Sequence, residues 1–191
     1  MVKRKKITIV GLGYTGLPLL IAFHKKKIDV SGYDHDFEKI SNLKKGIDKT
    51  NEIEREDLKF LKKIKIVSDL ELLKNTDIFI IAVPTPVDKK NKPNLENLIS
   101  ASRNVGKFIK KNNLIIYEST VYPGCTEEIC VPNLEKTSKL KFNKDFFCGY
   151  SPERINPGDK KHKITDIKKD TSGSNKDIAN IVDDLYKLII P

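Results

Sequence analysis

The sequence predicts a Rossmann-like, doubly wound α/β fold, with a mainly parallel sheet covered by helices on both faces. Three observations favour it. Short β-branched apolar runs alternate with helical stretches along most of the chain. A glycine-rich turn, GLGYTG at residues 11–16, joins the first predicted strand to the first predicted helix. An acidic residue, Asp34, ends the second predicted strand, as in units that bind dinucleotides.

The first half of the chain supplies four predicted strands. KITIVG is a β-branched run, and the stretch after it carries Leu17, Leu20 and Ile21 at helical spacing. The near-continuous apolar run TDIFIIAVPTP is typical of a strand buried on both faces. In order, the sequence predicts strands at 6–11, 28–34, 64–68 and 76–86, and helices at 14–26, 36–46, 54–62 and 69–75.

The second half continues the alternation. The sequence predicts helices at 94–111, 123–138 and 174–189, and strands at 114–120 and 145–153. Pro132 should bend the middle helix or split it in two, because proline cannot donate to the helical ladder. The charged stretch 157–169 is predicted to be a surface loop. The length of 191 residues suits one domain with a sizeable core, so residues 1–191 are expected to form a single unit.

Composition excludes several classes of function. The net charge is +10, but only Arg4, Arg55, Arg103 and Arg154 are arginines, and the lysines are scattered. A solvated lysine-rich surface is therefore favoured over a nucleic-acid interface, which usually reads bases with arginine. No apolar run reaches the roughly 18 residues of a membrane-spanning helix. The basic N-terminus leads into a strand rather than a cleavable signal, so a cytoplasmic location is expected.

The cysteines and histidines form no recognisable metal or disulfide pattern. The chain has three of each, with no CxxC pair and no HExxH pattern. No metal is therefore expected. Cys125, Cys130 and Cys148 are interpreted as reduced, structural residues.

The GLGYTG turn is interpreted as a phosphate cradle. Gly11 would make the tight turn, Gly13 would let the backbone approach a pyrophosphate, and Gly16 would let helix and strand pack closely. Tyr14 and Thr15 complete the cofactor-binding turn, where the helix N-terminus favours negative charge. A glycine-rich turn without a ligand is the alternative for the motif taken alone.

Asp34 is the predicted ligand of the adenosine ribose. A carboxylate at the end of the second strand accepts hydrogen bonds from ribose hydroxyls and repels a 2′-phosphate, which favours NAD over NADP. A solvated loop carboxylate beside His35 and Asp36 is the alternative for this residue alone.

Three later strand ends carry further polar residues on the same predicted edge of the sheet. Because ligands bind beyond the carboxyl ends of such strands, these residues are candidates for the same site. They are Val83, Pro84 and Thr85 after the fourth strand, Glu118, Ser119 and Thr120 after the fifth, and Glu153 and Arg154 after the sixth.

Together these stretches resemble the NAD-binding domain of the UDP-glucose/GDP-mannose dehydrogenase family. The resemblance rests on four motifs in the family's order, and it spans almost the whole chain. The SPER form, rather than the NPEF typical of UDP-glucose enzymes, indicates the bacterial branch that acts on UDP-N-acetyl-hexosamines in surface-polysaccharide synthesis. The motifs are IVGLGYTGLPLL, AVPTPVD, ESTVYPGCTEE and GYSPERINPGDK.

The resemblance implies a two-step oxidation of a sugar C6 alcohol to a carboxylate, with two hydrides passed to NAD⁺. In the family a cysteine traps the intermediate aldehyde and water later hydrolyses a thioester. Thr120 matches a family threonine near the nicotinamide that helps hold a catalytic water. Glu153 matches the family glutamate that acts as acid and base in the hydrolysis, and Glu153 and Arg154 lie where the substrate would bind. A salt-bridge partner of Arg154 or a lysine is the alternative for Glu153.

The resemblance also implies that this chain lacks parts of the enzyme. In the family a central helix and a C-terminal domain supply a lysine, an asparagine, the nucleophilic cysteine and much of the sugar pocket. None of the three cysteines here matches the nucleophile. The chain is thus expected to be inactive alone, and the intact protein to be a homodimer. The alternatives are a stand-alone NAD-binding or scaffold module, a UDP-glucose or UDP-ManNAc dehydrogenase of the same family, and a nucleic-acid binder.

Overall fold

Seven strands and six α-helices alternate along residues 5–90, 92–153 and 168–190, which a computed structural model describes. The strands are β1 (Ile7–Val10), β2 (Val30–Tyr33), β3 (Lys65–Val67), β4 (Ile78–Ile81), β5 (Asn113–Tyr117), β6 (Phe146–Tyr150) and β7 (Ser172–Gly173). The α-helices are α1 (Gly16–Lys25), α2 (Phe37–Lys44), α3 (Leu58–Leu61), α4 (Glu96–Gly106), α5 (Val131–Ser138) and α6 (Lys176–Lys187). Shorter 3-10 helices cover Arg55–Asp57 and Leu70–Asn75, and a π-helix covers Thr126–Cys130.

The strands form one sheet in the order β3-β2-β1-β4-β5-β6-β7. Every pair is parallel except β6 with β7, which is antiparallel. The chain reverses its direction of travel across the sheet between β1 and β4, where Ile7 pairs with Ile78 and Val10 with Ile81. This arrangement confirms the predicted Rossmann-like class and places the topological switch point beside the glycine-rich turn.

Alternating strand residues divide the core between the two faces of the sheet. Ile7 and Ile9 belong to the cluster that buries α1, α2 and α6, whereas Phe79 and Ile81 belong to the cluster that buries α4 and α5. Because both faces are covered, the central strands β1, β4 and β5 are buried at every position. Within the described residues no helix is both long and apolar enough to span a bilayer.

The predicted elements are present, with differences at their ends. The predicted strand 76–86 stops at Ile81, because the prolines after it cannot donate to a sheet ladder. The predicted helix 123–138 is divided into the π-helix Thr126–Cys130 and α5, and Pro132 lies in the first turn of α5. Proline is tolerated there because the first turn has no partner for its missing N–H.

Candidate functional site

The carboxyl ends of β1, β2, β4, β5 and β6 meet along one edge of the sheet, and the predicted site residues follow these ends. The glycine turn and Asp34 come from β1 and β2, and the loops 82–86, 118–121 and 151–153 come from β4, β5 and β6. The sheet therefore brings together five segments that are far apart in sequence.

The glycine-rich turn leaves no room for side chains at two of its three glycines. Gly11 has a φ of +96°, and a Cβ there would lie 2.8 Å from the carbonyl oxygen of Ala82 on the neighbouring strand end. A Cβ on Gly16 would lie 1.9 Å from the carbonyl oxygen of Gly11. The Gly11 N–H donates to the Tyr33 carbonyl at 2.8 Å, which ties the turn to β2. Gly11 and Gly16 thus shape the turn itself.

Gly13 faces open space instead. A Cβ at this position would meet no atom within 4 Å, so the protein's own packing does not require glycine here. The adjacent helix α1 begins at Gly16, and its first N–H groups point out of its N-terminus, where an anion is favoured. Thr15, the buried N-cap residue, makes no capping bond with its side chain, and Tyr14 is partly exposed. The space in front of Gly13 fits the pyrophosphate of a dinucleotide.

Asp34 connects the glycine turn to the end of β2. Its Oδ2 accepts hydrogen bonds from the Leu12 N–H at 2.9 Å and from Lys39 Nζ at 2.7 Å. Its Oδ1 accepts from the Asp36 N–H at 3.0 Å. Burial alone would raise the pKa of Asp34, but these hydrogen bonds outweigh burial and lower it. Asp34 therefore stays ionised and holds the glycine turn against the end of β2.

Lys39 is a residue that sequence reasoning missed. It lies in α2, one helical turn beyond the N-cap Asp36, and its ammonium covers the Asp34 carboxylate, which is only 3% exposed. The signal was a lysine five residues after the acid that ends β2. The pair places an ammonium group, 30% exposed, over a carboxylate at the end of β2.

Hydrogen bonds join the loops after β4 and β5. Thr85 Oγ1 donates to the Thr120 carbonyl at 2.8 Å, and Ser119 Oγ donates to the Val83 carbonyl at 2.6 Å. Thr120 is exposed, as is Pro84, so both face the open side of this junction. The structure thus brings these predicted residues together beside the glycine turn, since Val83 lies next to Gly11.

Glu118 points into the protein interior, although it was predicted to line the cofactor site. Its carboxylate is fully buried and bonds the Tyr186 hydroxyl through Oε1 and Lys169 Nζ through Oε2. Its backbone N–H donates to Ile81 and its carbonyl accepts from Glu153. Because all these groups bond to the protein interior, the structure corrects the assignment of Glu118 as a cofactor ligand.

Burial raises the pKa of Glu118 from its ordinary 4.5 to about 7, although Lys169 and Tyr186 oppose the shift. The folded state then holds more protons than the unfolded state between these two values, so stability falls as pH rises across this window. We expect protonated Glu118 to add about 3 kcal/mol to the free energy of unfolding below pH 4.5, and this stabilisation to be lost above pH 7. In Glu118→Gln the loss should disappear from urea unfolding free energies measured from pH 4.5 to 8.

The matched control for this prediction is Glu127→Gln, which alters an exposed glutamate of the adjoining segment. It should keep the wild-type pH dependence. A Glu118→Gln variant whose stability falls with pH as steeply as that of the wild type would contradict the assignment.

Glu153 follows β6 and has a nearly buried side chain, 6% exposed. Lys169 Nζ lies 3.8 Å from its Oε2. Lys169 ends the stretch predicted as a surface loop, and its side chain is only 4% exposed, whereas Lys168 is exposed. Arg154 and residues 155–167 lie outside the described residues.

The three cysteines are buried and reduced. Burial raises the pKa of Cys130 to about 12, and it raises the pKa values of Cys125 and Cys148 as well. A thiol nucleophile needs the opposite shift, because the thiolate is the reactive form. Among the described residues, no cluster of histidine, cysteine and carboxylate side chains could hold a metal ion.

Nearly the whole chain is similar to a known protein family and to several of its members. Residues 5–190 match the model of the UDP-glucose/GDP-mannose dehydrogenase family, NAD binding domain. A UDP-N-acetyl-D-glucosamine 6-dehydrogenase of Pseudomonas aeruginosa is 52% identical over 98% of this chain and 44% of its own length. Protein CapL of Staphylococcus aureus is 50% identical over 97% of this chain and 43% of its own length. The chain therefore spans less than half the length of these relatives.

Solved structures of other proteins superpose on nearly the whole of this chain. A UDP-D-ManNAc dehydrogenase from Pyrococcus horikoshii superposes with a TM-score of 0.86 and 32% identity, over 97% of this chain and 45% of the other. A GDP-mannose dehydrogenase from Pseudomonas aeruginosa superposes with a TM-score of 0.81 at 22% identity, over 95% of this chain and 44% of the other. The second likeness concerns the fold alone.

Proposed function

The chain belongs to the UDP-glucose/GDP-mannose dehydrogenase family, whose NAD-binding domain it represents, and on this premise we propose that it is the cofactor-binding portion of a longer UDP-N-acetylhexosamine 6-dehydrogenase. That enzyme oxidises the sugar's C6 alcohol to a carboxylate in two NAD-dependent steps, for the synthesis of surface polysaccharide. Two relatives named UDP-N-acetyl-D-glucosamine 6-dehydrogenase, 52% and 49% identical to this chain, support the substrate class.

The open space at Gly13, directly in front of the N-terminus of α1, carries the proposal. The turn holds the pyrophosphate there through backbone N–H groups, and Asp34 with Lys39 binds the adenosine ribose. When bound, NAD⁺ accepts hydride from the substrate carbon. The loops that contain Thr85 and Thr120 lie on the same edge and border the nicotinamide end.

The residues expected to act on the substrate follow β5 and β6. Thr120 is exposed beside the Val83–Thr85 loop, where its hydroxyl can hold a water molecule against the nicotinamide end. Glu153, nearly buried at the end of β6, supplies the acid and base that hydrolysis of a covalent intermediate requires. Arg154 is proposed as a substrate contact on its sequence position alone.

The nucleophile of the reaction comes from outside these residues. The buried cysteines have raised pKa values and lie among core residues, so they do not suit the task. We place the nucleophilic cysteine, the remaining sugar pocket and the surface of a homodimer in the part of such an enzyme that these 191 residues do not cover.

Two assays with the 191-residue chain test this proposal. Fluorescence titration should show saturable NADH binding, whereas incubation with NAD⁺ and UDP-N-acetylglucosamine should yield no NADH. Robust turnover by this chain would contradict the account of the missing nucleophile.

The coding sequence beyond codon 191 distinguishes the proposal from a stand-alone NAD-binding module, since only an enzyme needs a cysteine-bearing domain. UDP-ManNAc is the second candidate substrate, because a UDP-N-acetyl-D-mannosamine dehydrogenase is 33% identical to this chain.

Asp34→Asn should weaken NADH binding about tenfold, since it replaces a charge-assisted hydrogen bond to the ribose with a neutral one. The same change leaves Lys39 without its carboxylate partner, so NADPH, with its 2′-phosphate, should bind more tightly than it does to the wild type. Parallel NADH and NADPH titrations measure both effects.

Asp36→Asn is the matched control. It removes the same charge two residues away but keeps an oxygen for the cap of α2, where Asp36 accepts from the Lys39 N–H at 2.9 Å. Its NADH affinity should equal that of the wild type. Unchanged NADH affinity in Asp34→Asn would remove Asp34 from the site.

A further inference from the structure

Phe37 is a large apolar side chain that the fold leaves uncovered. It is the first residue of α2 and is 74% exposed, the highest value for a large apolar residue in the part of the chain that the structure describes. The packing of α2 does not require it, because Ile40 and Leu43 bury the helix and the Asp36 side chain caps it. Single exposed apolar residues are common, so the position of Phe37 relative to the site decides whether it meets a ligand.

Phe37 lies close to Asp34, the proposed ribose ligand. The Asp36 N–H, on the residue before Phe37, donates to Asp34 Oδ1 at 3.0 Å. Lys39, in the same first turn of α2, reaches the Asp34 carboxylate with its Nζ at 2.7 Å. Side chains on a helix lean toward its N-terminus. Since α2 begins at the carboxyl end of β2, the phenyl group leans toward the edge of the sheet that carries the glycine turn.

The order of the strands sets the direction in which the cofactor extends. Its pyrophosphate is proposed in front of Gly13, after β1, and its ribose at Asp34, after β2, while β3 lies on the far side of β2. The base is attached to a different ribose carbon from the one that carries the phosphate, so it continues toward β3. The Asp34 N–H donates to the Val67 carbonyl at 3.2 Å, which places the end of β3 beside Asp34. The start of α2 borders this space, and the His35 side chain there is 88% exposed.

The adenine base of NAD differs in chemistry from the groups that the site already accommodates. Backbone N–H groups suit its phosphates, and the Asp34 carboxylate with the Lys39 ammonium suits its ribose hydroxyls. The base is a flat, uncharged aromatic ring, and neither kind of group covers its face. A phenyl group does so by offset stacking, which every purine accepts because each has a π-face.

We propose that Phe37 binds the adenine ring of NAD by stacking its phenyl group against the base. The inference rests on the proposed function, since it extends the same cofactor site beyond the ribose. The Phe37 side chain offers no hydrogen bond, so it recognises a flat aromatic base rather than adenine in particular. It therefore contributes affinity for the adenosine half of the cofactor and none for the nicotinamide half.

Calorimetric titration of the 191-residue chain with ADP-ribose, which carries the adenosine and the pyrophosphate but no nicotinamide, tests this contact. Phe37→Ala should weaken binding about tenfold, a usual effect of losing one stack between a base and an aromatic side chain. Phe37→Tyr keeps the ring and should bind within about twofold of the wild type. Ile47→Ala is the matched control, because Ile47 is 48% exposed beyond the other end of α2, and its affinity should not change.

A fluorescent variant observes the same contact directly. The chain has no tryptophan, so Phe37→Trp introduces a single one at this position. ADP-ribose should quench its emission saturably, at the concentrations at which calorimetry shows binding, because the indole then stacks on the base. Ile47→Trp should keep its emission at the same concentrations.

Two results would overturn the inference. One is an equal ADP-ribose affinity in Phe37→Ala and the wild type. The other is an unchanged emission of Phe37→Trp when calorimetry shows that this variant is saturated with ADP-ribose. In both cases the chain still binds the ligand, so the proposed function stands. Absence of NADH and ADP-ribose binding to the wild type would instead overturn the proposed function, and the inference with it.

Discussion

Gly16→Ala should destabilise the folded chain by about 3 kcal/mol, the upper range for overpacking. The added Cβ would lie 1.9 Å from the Gly11 carbonyl oxygen and 3.1 Å from the Ile9 side chain. The obstructing oxygen belongs to backbone that β1, β2 and β4 enclose, so it cannot rotate away as a flexible side chain would. The turn must instead move by more than an ångström, and α1 with it. The thermal midpoint should fall by about 6 to 12 °C.

The control for Gly16→Ala lies in the same turn. Gly13→Ala adds the same methyl group where no atom lies within 4 Å, so its thermal midpoint should stay close to that of the wild type. Equal midpoints for Gly16→Ala and the wild type would mean that the helix does not pack against the turn as closely as described.

Gly13→Val should reduce NADH affinity at least 100-fold without unfolding the protein. The position is open to solvent, and its backbone lies outside the left-handed region that only glycine tolerates well. Protein packing therefore does not oppose the larger side chain. A pyrophosphate held against the N-terminus of α1 needs this same space, so the valine side chain and the cofactor exclude each other.

Calorimetric titration with NADH measures the predicted loss of affinity, and thermal unfolding measures the predicted retention of stability. The thermal midpoint should change by no more than about 2 °C. Gly13→Ala should lose less affinity than Gly13→Val, because its side chain fills less of the space. Wild-type affinity in Gly13→Val would mean that the pyrophosphate does not approach this position.

Much of the fold was predictable because its determinants are local. Apolar runs such as TDIFIIAVPTP, and helical spacing such as that of Leu17, Leu20 and Ile21, report burial directly. The strand ends then follow from the order of the elements, since parallel strands share one edge. For this reason the sequence alone predicts that the glycine turn, Asp34 and the loop that contains Thr85 lie in one region.

The buried charges could not be predicted, because their partners are set by tertiary packing. Glu118 follows a buried strand as a cofactor ligand would, but its partners are 51 and 68 residues away. Lys169 lies in a lysine-rich stretch that is typical of a solvated loop, yet it is buried by Glu118, Glu153 and Tyr186. Lys39 could not be singled out either, because it is one of several charged residues in and around α2. Its pairing with Asp34 emerges only when α2 is placed at the end of β2.

The most direct test of the NAD-binding cradle is a backbone amide NMR titration of the chain with NADH. We expect saturable shifts, with the largest changes at the amides of residues 11–17 and at Asp34. Gly13→Val, added at the same NADH concentrations, should show none of them. The account would be contradicted if the wild-type spectrum did not change. Shifts concentrated at the other end of α1, around His24 and Phe60, would contradict it equally.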